Sequence, residues 1–146
     1  MKKKLIPLEK ALNFQIFKLS LLLGRELTKA LKEFNLTPER WQVLAALWNA
    51  DMPLYQTQLG EITLKDKPSI SRLVDSMIKT GWLIKKQSDE DSRAYFIKPS
   101  TKANTYKDKI VSSLYDHFEP YFEELGKDKT AELSTLIQFY IQIIKK

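Results

Sequence analysis

The sequence predicts a mainly helical domain with one small β-hairpin, an α+β chain. Three observations predict it. Apolar residues recur at spacings of three and four over most of the 146 residues. One stretch, Trp82 to Lys98, drops that period for aromatic and β-branched residues on either side of the acidic run Asp89-Glu90-Asp91-Ser92. Helix-start signals stand ahead of the periodic segments, with Thr37 and Ser100 as N-cap residues and Pro38 and Pro68 suited to a first helical position.

Taken in order, Leu8 to about Phe34 reads as a long first helix. Leu12, Ile16, Leu19, Leu23, Leu27, Ala30, Leu31 and Phe34 share one face. Phe14, Phe17 and Leu21 fall off that stripe, so this helix is expected to pack on two sides. Thr37 opens a second helix that turns Trp41, Val43, Leu44 and Leu47 inward and ends near Asn49–Pro53. Leu54–Tyr55 reads as a short extended piece, and a short helix follows with Leu59 and Ile62 inward. After the break at Thr63–Pro68, Ile70, Leu73, Val74, Met77 and Ile78 follow the i, i+3, i+4, i+7, i+8 pattern of an amphipathic helix. Gly81 suits the left-handed position beyond its end. The hairpin comes next and stops at Pro99. Ser100 then opens a helix through Tyr106, Ile110, Leu114, Tyr115 and Phe118, which Pro120 is expected to kink or break. Thr130–Ile144 forms a last helix, apolar over much of its circumference (Leu133, Ile137, Tyr140 and Ile144 on one side, Leu136, Phe139 and Ile143 beside them) and expected to be covered from two directions.

Composition removes several function classes. The length fits one domain, residues 1–146, with a real core. No apolar run approaches the ~18 residues of a membrane span, and the basic start lacks the features of a signal peptide, so a cytoplasmic protein is expected. There is no Cys and only one His, His117, so no thiolate chemistry or zinc site is expected. No Ser/His or Cys/His set and no phosphate-binding Gly loop is present, so neither enzyme activity nor a cofactor is expected. The 24 Lys plus Arg exceed the 18 Asp plus Glu, a net charge of +6, which suits a polyanionic partner.

Two short helices, a break, and a hairpin directly after the second helix make a winged helix-turn-helix. From about Leu36 to Lys102 the chain resembles the MarR family of transcriptional regulators. The pieces that carry the resemblance are LTPERWQVLAAL, TQLGEI, DKPSISRLVDSMIKTGWL and DEDSRAYFIKPSTKA, in the expected order. The long flanking helices match as well. Departures are Pro99-Ser100 ahead of the helix after the wing, Leu64 in a turn that often holds Gly, and Tyr55 where a small capping residue is usual.

The resemblance implies a double-stranded DNA partner with a pseudo-palindromic operator, read by a homodimer. Residues 37–99 would form the DNA-binding part, and residues 5–35 and 100–146 the helical dimerisation part. Lys67, Pro68, Ser69, Ser71, Arg72 and Ser76 would face DNA from the second motif helix, whose N-terminus itself favours phosphate. The same residues also fit a plain solvated helix face. On the wing, Arg93 would reach a minor groove, steadied by Asp91 two residues before it on an extended strand. Lys85 and Lys86 on the partner strand would add phosphate contacts, while Asp89 and Glu90 read as turn chemistry. The family further implies a repressor released by a small aromatic or phenolic effector, in a pocket for which Phe14, Phe17, Trp41, Tyr115 and Phe118 are candidates. Aromatic residues at helical spacing equally suit a plain core. The rival reading is a winged helix that binds a protein partner without specific DNA binding.

Overall fold

The computed structural model describes residues 2–146. After a short 3-10 turn at Leu8–Lys10, helix α1 spans Leu12–Leu31, and a second 3-10 turn at Lys32–Phe34 leads to α2, Pro38–Ala50. Strand β1 is Leu54–Tyr55, followed by α3, Gln56–Thr63, and α4, Lys67–Lys79. Strands β2, Leu83–Gln87, and β3, Tyr95–Pro99, form the hairpin, and β1 pairs with the other side of β3 in an antiparallel sheet of order β1-β3-β2. Helices α5, Thr101–Leu125, and α6, Lys127–Lys145, complete the chain.

The starts of the helices follow local chemistry. The Arg40 backbone N–H donates to Thr37 Oγ1 at 3.2 Å, and Ala103 N–H donates to Ser100 Oγ at 3.0 Å, each satisfying a donor the helix leaves free. For α4 the cap is Asp66, whose Oδ1 accepts from Ser69 N–H at 2.8 Å. Tyr55 is tied in reverse, its backbone N–H donating to Gln58 Oε1 at 2.8 Å, so the missing small cap is offset by a residue inside α3. Gly81 takes φ +85° between α4 and β2, as expected.

Helix α5 does not break at Pro120; it runs through it. Proline removes only one donor, that to the carbonyl four residues back, and both Pro120 and Asp116 are exposed, where water can replace it.

The core is confined to the middle of the chain. Leu31, Phe34 and Leu36 pack with Val43, Leu44 and Leu47 of α2, Leu59 of α3, and Ile70, Val74 and Met77 of α4. Trp82, Leu83 and Ile97 from the hairpin and Ala103 and Ile110 from α5 close it. Ile62, expected inward, is exposed; the short α3 turns Leu59 and Gly60 to the core instead. No residue of α6 is buried, and in α1 only Ala30 and Leu31 are. The amphipathic pattern of the sequence is thus satisfied inside the winged helix and left open in the outer helices.

Leu64, in the turn from α3 to α4, takes φ 54° and ψ 39°. Asn35 and Asp51 share that left-handed geometry, but they tolerate it better than an aliphatic residue. The turn closes all the same, with Lys65 N–H donating to the Gly60 carbonyl at 2.9 Å. Leu64 is 82% exposed, so its side chain gives up little packing if removed. Leu64→Gly is expected to stabilise the protein by about 0.5–1 kcal/mol, because relief of the left-handed strain exceeds the entropy glycine adds to the unfolded chain. Urea unfolding measures it; a lower midpoint for the variant would refute the strain.

Candidate nucleic-acid interface

Helix α4 buries Ile70, Val74 and Met77 and leaves Lys67, Pro68, Arg72, Asp75 and Lys79 exposed, with Ser69 and Ser71 at the margin. Arg72 makes no side-chain hydrogen bond or ion pair among the described residues. The start of α4 is less open to phosphate than its helical dipole suggests. The Asp66 carboxylate occupies it, and hydrogen bonds from Ser69, its side chain first, hold Asp66 below the usual carboxylate range. Neighbouring Lys65 is engaged with Glu39 at 3.2 Å, so it braces α2 against the motif turn.

Ser76 differs from the other predicted contacts. Its Oγ accepts a hydrogen bond of 2.6 Å from Arg40 Nη2 of α2. The helical wheel placed Ser76 on the outward face; in the fold, its hydroxyl is drawn toward α2.

The hairpin sends its two adjacent lysines to opposite faces, since side chains alternate along a strand. Lys85 pairs with Ile97, on the core face, and its Nζ lies over the Tyr95 ring at 4.5 Å. Lys86 pairs with Phe96 on the outer face, where Phe96 stacks on Tyr55 with ring centroids 4.2 Å apart. A small cavity of about 200 Å³ on that face is edged by Lys86, Phe96 and Lys98.

At the tip, Asp91 and Arg93 lie in the connection between β2 and β3, not on an extended strand. Asp91 Oδ1 accepts from the backbone N–H of Arg93 at 3.0 Å, and the Asp91 carbonyl accepts from Ala94 N–H at 3.0 Å. The carboxylate therefore fixes the turn backbone and makes no ion pair with the Arg93 guanidinium, which is exposed and unpaired among the described residues. The turn is further closed by Gln87 Nε2 donating to the Ser92 carbonyl at 2.6 Å, and Ser88 N–H to the Ala94 carbonyl at 2.9 Å. Residues 89–93 fold back in this turn, so the same-face argument for an extended pair does not apply.

The five effector-pocket candidates are not gathered around either of the two cavities. Phe17 and Tyr115 are 71% and 73% exposed, and Phe14 is exposed on α1. Trp41 packs against Trp48 at 6.1 Å, and Phe118 against His117 at 5.2 Å. The larger cavity, about 420 Å³, lies elsewhere, between the α1–α2 turn, the end of α4 and the start of α5, with Arg40, Trp82, Lys102 and Tyr106 on its walls. Sequence reasoning passed over these four, because they join only through contacts between distant parts of the chain.

A second cluster escaped the sequence for the same reason. Glu26 of α1 accepts from Lys29 at 2.9 Å and from Tyr121 Oη at 3.0 Å, and lies 3.1 Å from His117 Nε2, so it ties α1 to α5. Lys29 first, then Tyr121 and His117, pull its carboxyl down from 4.5 to about 2. Among the described residues, no three His, Cys, Asp or Glu side chains gather as a metal site, and no helix is long and apolar enough to cross a membrane.

The described geometry is that of a winged helix-turn-helix. Residues 34–94 match the MarR family model, so this segment is similar to the MarR family of transcriptional regulators. It is 25% identical to the uncharacterized HTH-type transcriptional regulator YkoM of Bacillus subtilis (strain 168), over 73% of this chain and 69% of that one. Its fold is similar to that of a single-site mutant of MarR from E. coli solved with operator DNA (TM-score 0.84, 18% identity, 94% of this chain and 99% of that one). It is also similar to NadR solved in complex with 4-hydroxyphenylacetate (TM-score 0.77, 18% identity, 96% and 97% covered).

The Glu26 cluster makes a pH prediction. A carboxyl held at about 2 in the fold and near 4.5 when free contributes stability that is complete above about 4.5 and is lost as pH falls toward 2. Glu26→Gln should lose less melting temperature across that window than the unaltered protein. Parallel losses in a calorimetric pH series would exclude the tie.

Proposed function

We propose that the chain is a sequence-specific double-stranded DNA-binding regulator that acts as a homodimer: a repressor released by a small aromatic or phenolic effector, working on DNA in the cytoplasm. The observation that carries the reading is the exposed Arg93, unpaired among the described residues, at the tip of a hydrogen-bonded wing, beside an α4 whose Lys67, Arg72 and Lys79 also face solvent. Helix α4 enters a major groove, with Ser69, Ser71 and Arg72 near base edges. Arg93 reaches the adjacent minor groove. Asp91 acts through the backbone, presenting Arg93 at a fixed angle, and Lys86 or Lys85 meets phosphate according to which wing face turns to the duplex. Operator DNA on the E. coli MarR neighbour supports the mode of binding, and 4-hydroxyphenylacetate on NadR supports the effector class.

Residues 37–99 form the DNA-binding part. Residues 5–35 and 100–146 form the dimerisation part, where α1, the end of α5 and α6 of two copies interleave. Support comes from Phe17, Leu21, Leu136 and Phe139, each more than half exposed in the single chain. Sedimentation should give a dimer at micromolar concentration. Deleting residues 133–146 should abolish specific binding, since two wings without a fixed separation lose the gain from bivalency. A monomer at that concentration would sink the architecture.

The wing is tested by mobility shift on DNA selected from a genomic library. Arg93→Ala should cost roughly 1–3 kcal/mol at the selected site with the fold intact. Asp91→Asn keeps an acceptor for the Arg93 N–H and should bind nearly as well as the unaltered protein, whereas Asp91→Ala should bind less well. Tighter binding by Asp91→Ala would show that the carboxylate merely repels phosphate. A protein-interaction module would show neither selection nor the steep fall in affinity with salt expected of phosphate contacts.

A further inference from the structure

We infer that Arg40 is a positioning residue for sequence reading: from helix α2 it sets the angle of α4, and so governs how well α4 distinguishes one DNA sequence from another. The inference rests on the function proposed above, and Arg40 acts through α4 rather than by touching DNA.

Helix α4 meets the core through Ile70, Val74 and Met77. Apolar contacts are non-directional, so they decide which face points inward more closely than they fix the angle of the helix about its axis. The angle is left to polar ties, and three of them reach α4. Glu39 holds Lys65, two residues ahead of the helix, at 3.2 Å. Arg40 Nη2 donates to Ser76 Oγ at 2.6 Å. Lys102 Nζ donates to the carbonyl of the C-cap residue Thr80 at 3.1 Å. Only the Arg40 bond joins two half-buried side chains. Glu39, Lys102 and Thr80 are exposed, where water competes and a tie holds its geometry weakly.

Arg40 is itself anchored. Its backbone N–H donates to Thr37 Oγ1 at 3.2 Å, in a first turn that Pro38 opens. Among the described residues, no carboxylate lies within ion-pair distance of its guanidinium, so the side chain is committed to Ser76. The bond is charge-assisted, short and directional. Its far end lies in the reading sector of α4. Ser76 follows Arg72 by four residues, one turn on along the same side of the helix. A roll of α4 therefore displaces Arg72 and Ser71 together. A side chain that recognises a base must be held to within about 0.5 Å and about 10–20°. Phosphate contacts carry no sequence information. Loss of the tie lowers discrimination between sequences and leaves the general attraction to DNA in place.

The test is mobility shift of the full-length protein on two duplexes, one selected from a genomic library and one of random sequence, over a series of salt concentrations. Arg40→Met should lower the ratio of the two affinities about tenfold, the discrimination of one base contact. It should bind the random duplex within about threefold of the unaltered protein, with the same salt slope. Ser76→Ala should lower the ratio by a similar factor, and the double variant by no more than either alone, because each removes the same tie. Arg40→Lys keeps a donor and should fall between. Melting temperatures check folding; if Arg40→Met does not fold, Arg40→Lys and Ser76→Ala carry the test. An unchanged ratio in the folded variants overturns the inference, and so do losses from Arg40→Met and Ser76→Ala that multiply independently. Equal loss on both duplexes, with a salt slope lower by about one, makes Arg40 a phosphate contact and also overturns it. An unaltered protein that selects no sequence refutes the function proposed above, and the inference with it. An unchanged ratio at a selected site refutes the inference alone.

Discussion

Full burial in this chain is confined to the winged helix and to the parts of α1 and α5 that pack on it, and the rest of the architecture follows from that. The buried apolar side chains run from Ala30 to Ile110. Outside that span, Phe17, Leu21, Leu136, Phe139 and Ile144 are between 57% and 71% exposed on regular helices. A large apolar side chain forgoes roughly 1.5–3 kcal/mol when left in water, so such helices need another surface. Within one chain, α6 is joined to the start of α1 by the hydrogen bond from Tyr140 Oη to Asn13 Oδ1 at 2.6 Å. That bond sets where α6 lies, but it covers little. The proposed second copy supplies the missing surface, and the separation of the two wings then depends on α6, which contributes nothing to the core, and on the outer parts of α1 and α5.

The wing resolves a conflict of charge. Its acidic residues lie in a protein of net charge +6, on the element proposed to approach a polyanion. Asp91 is spent on the backbone: its carboxylate and carbonyl hold Arg93 N–H and Ala94 N–H and leave the guanidinium free among the described residues. A side-chain ion pair would have oriented Arg93 but also neutralised it. The backbone arrangement orients the residue and keeps its charge for an outside partner. The cap of α4 works in the opposite sense, since Asp66 places a carboxylate where a phosphate would otherwise be favoured.

Elements set by local rules were legible in the sequence, and those set by distant neighbours were not. Thr37, Ser100 and Gly81 could be placed because a cap or a left-handed joint depends on a few adjacent residues. The stripe Ile70, Val74 and Met77 was legible because helical period and burial agree there. The tie from Ser76 to Arg40 was not legible, because its partner lies 36 positions away and no helical wheel contains it. The expected placing of Asp91 and Arg93 on an extended strand fails because β3 begins only at Tyr95, and both lie in the turn before it. The break expected at Pro120 does not occur, since α5 runs through it with Asp116 and Pro120 exposed to water. Glu26, Lys102 and Tyr106 carried no local signal of their roles.

The end of α4, the hairpin and α5 meet at one small joint. Ser100 Oγ donates to the Gly81 carbonyl at 2.6 Å and accepts from Ala103 N–H, while Ser100 N–H donates to the Trp82 carbonyl at 3.0 Å. One buried serine therefore fixes the exit of α4, the root of the wing and the first turn of α5. From that joint α5 runs 25 residues, about 38 Å at 1.5 Å per residue, to the exposed helices. Along its length Glu26 ties it to α1 through His117 and Tyr121. Helix α5 is thus tied to the root of the wing at one end and to α1 toward the other.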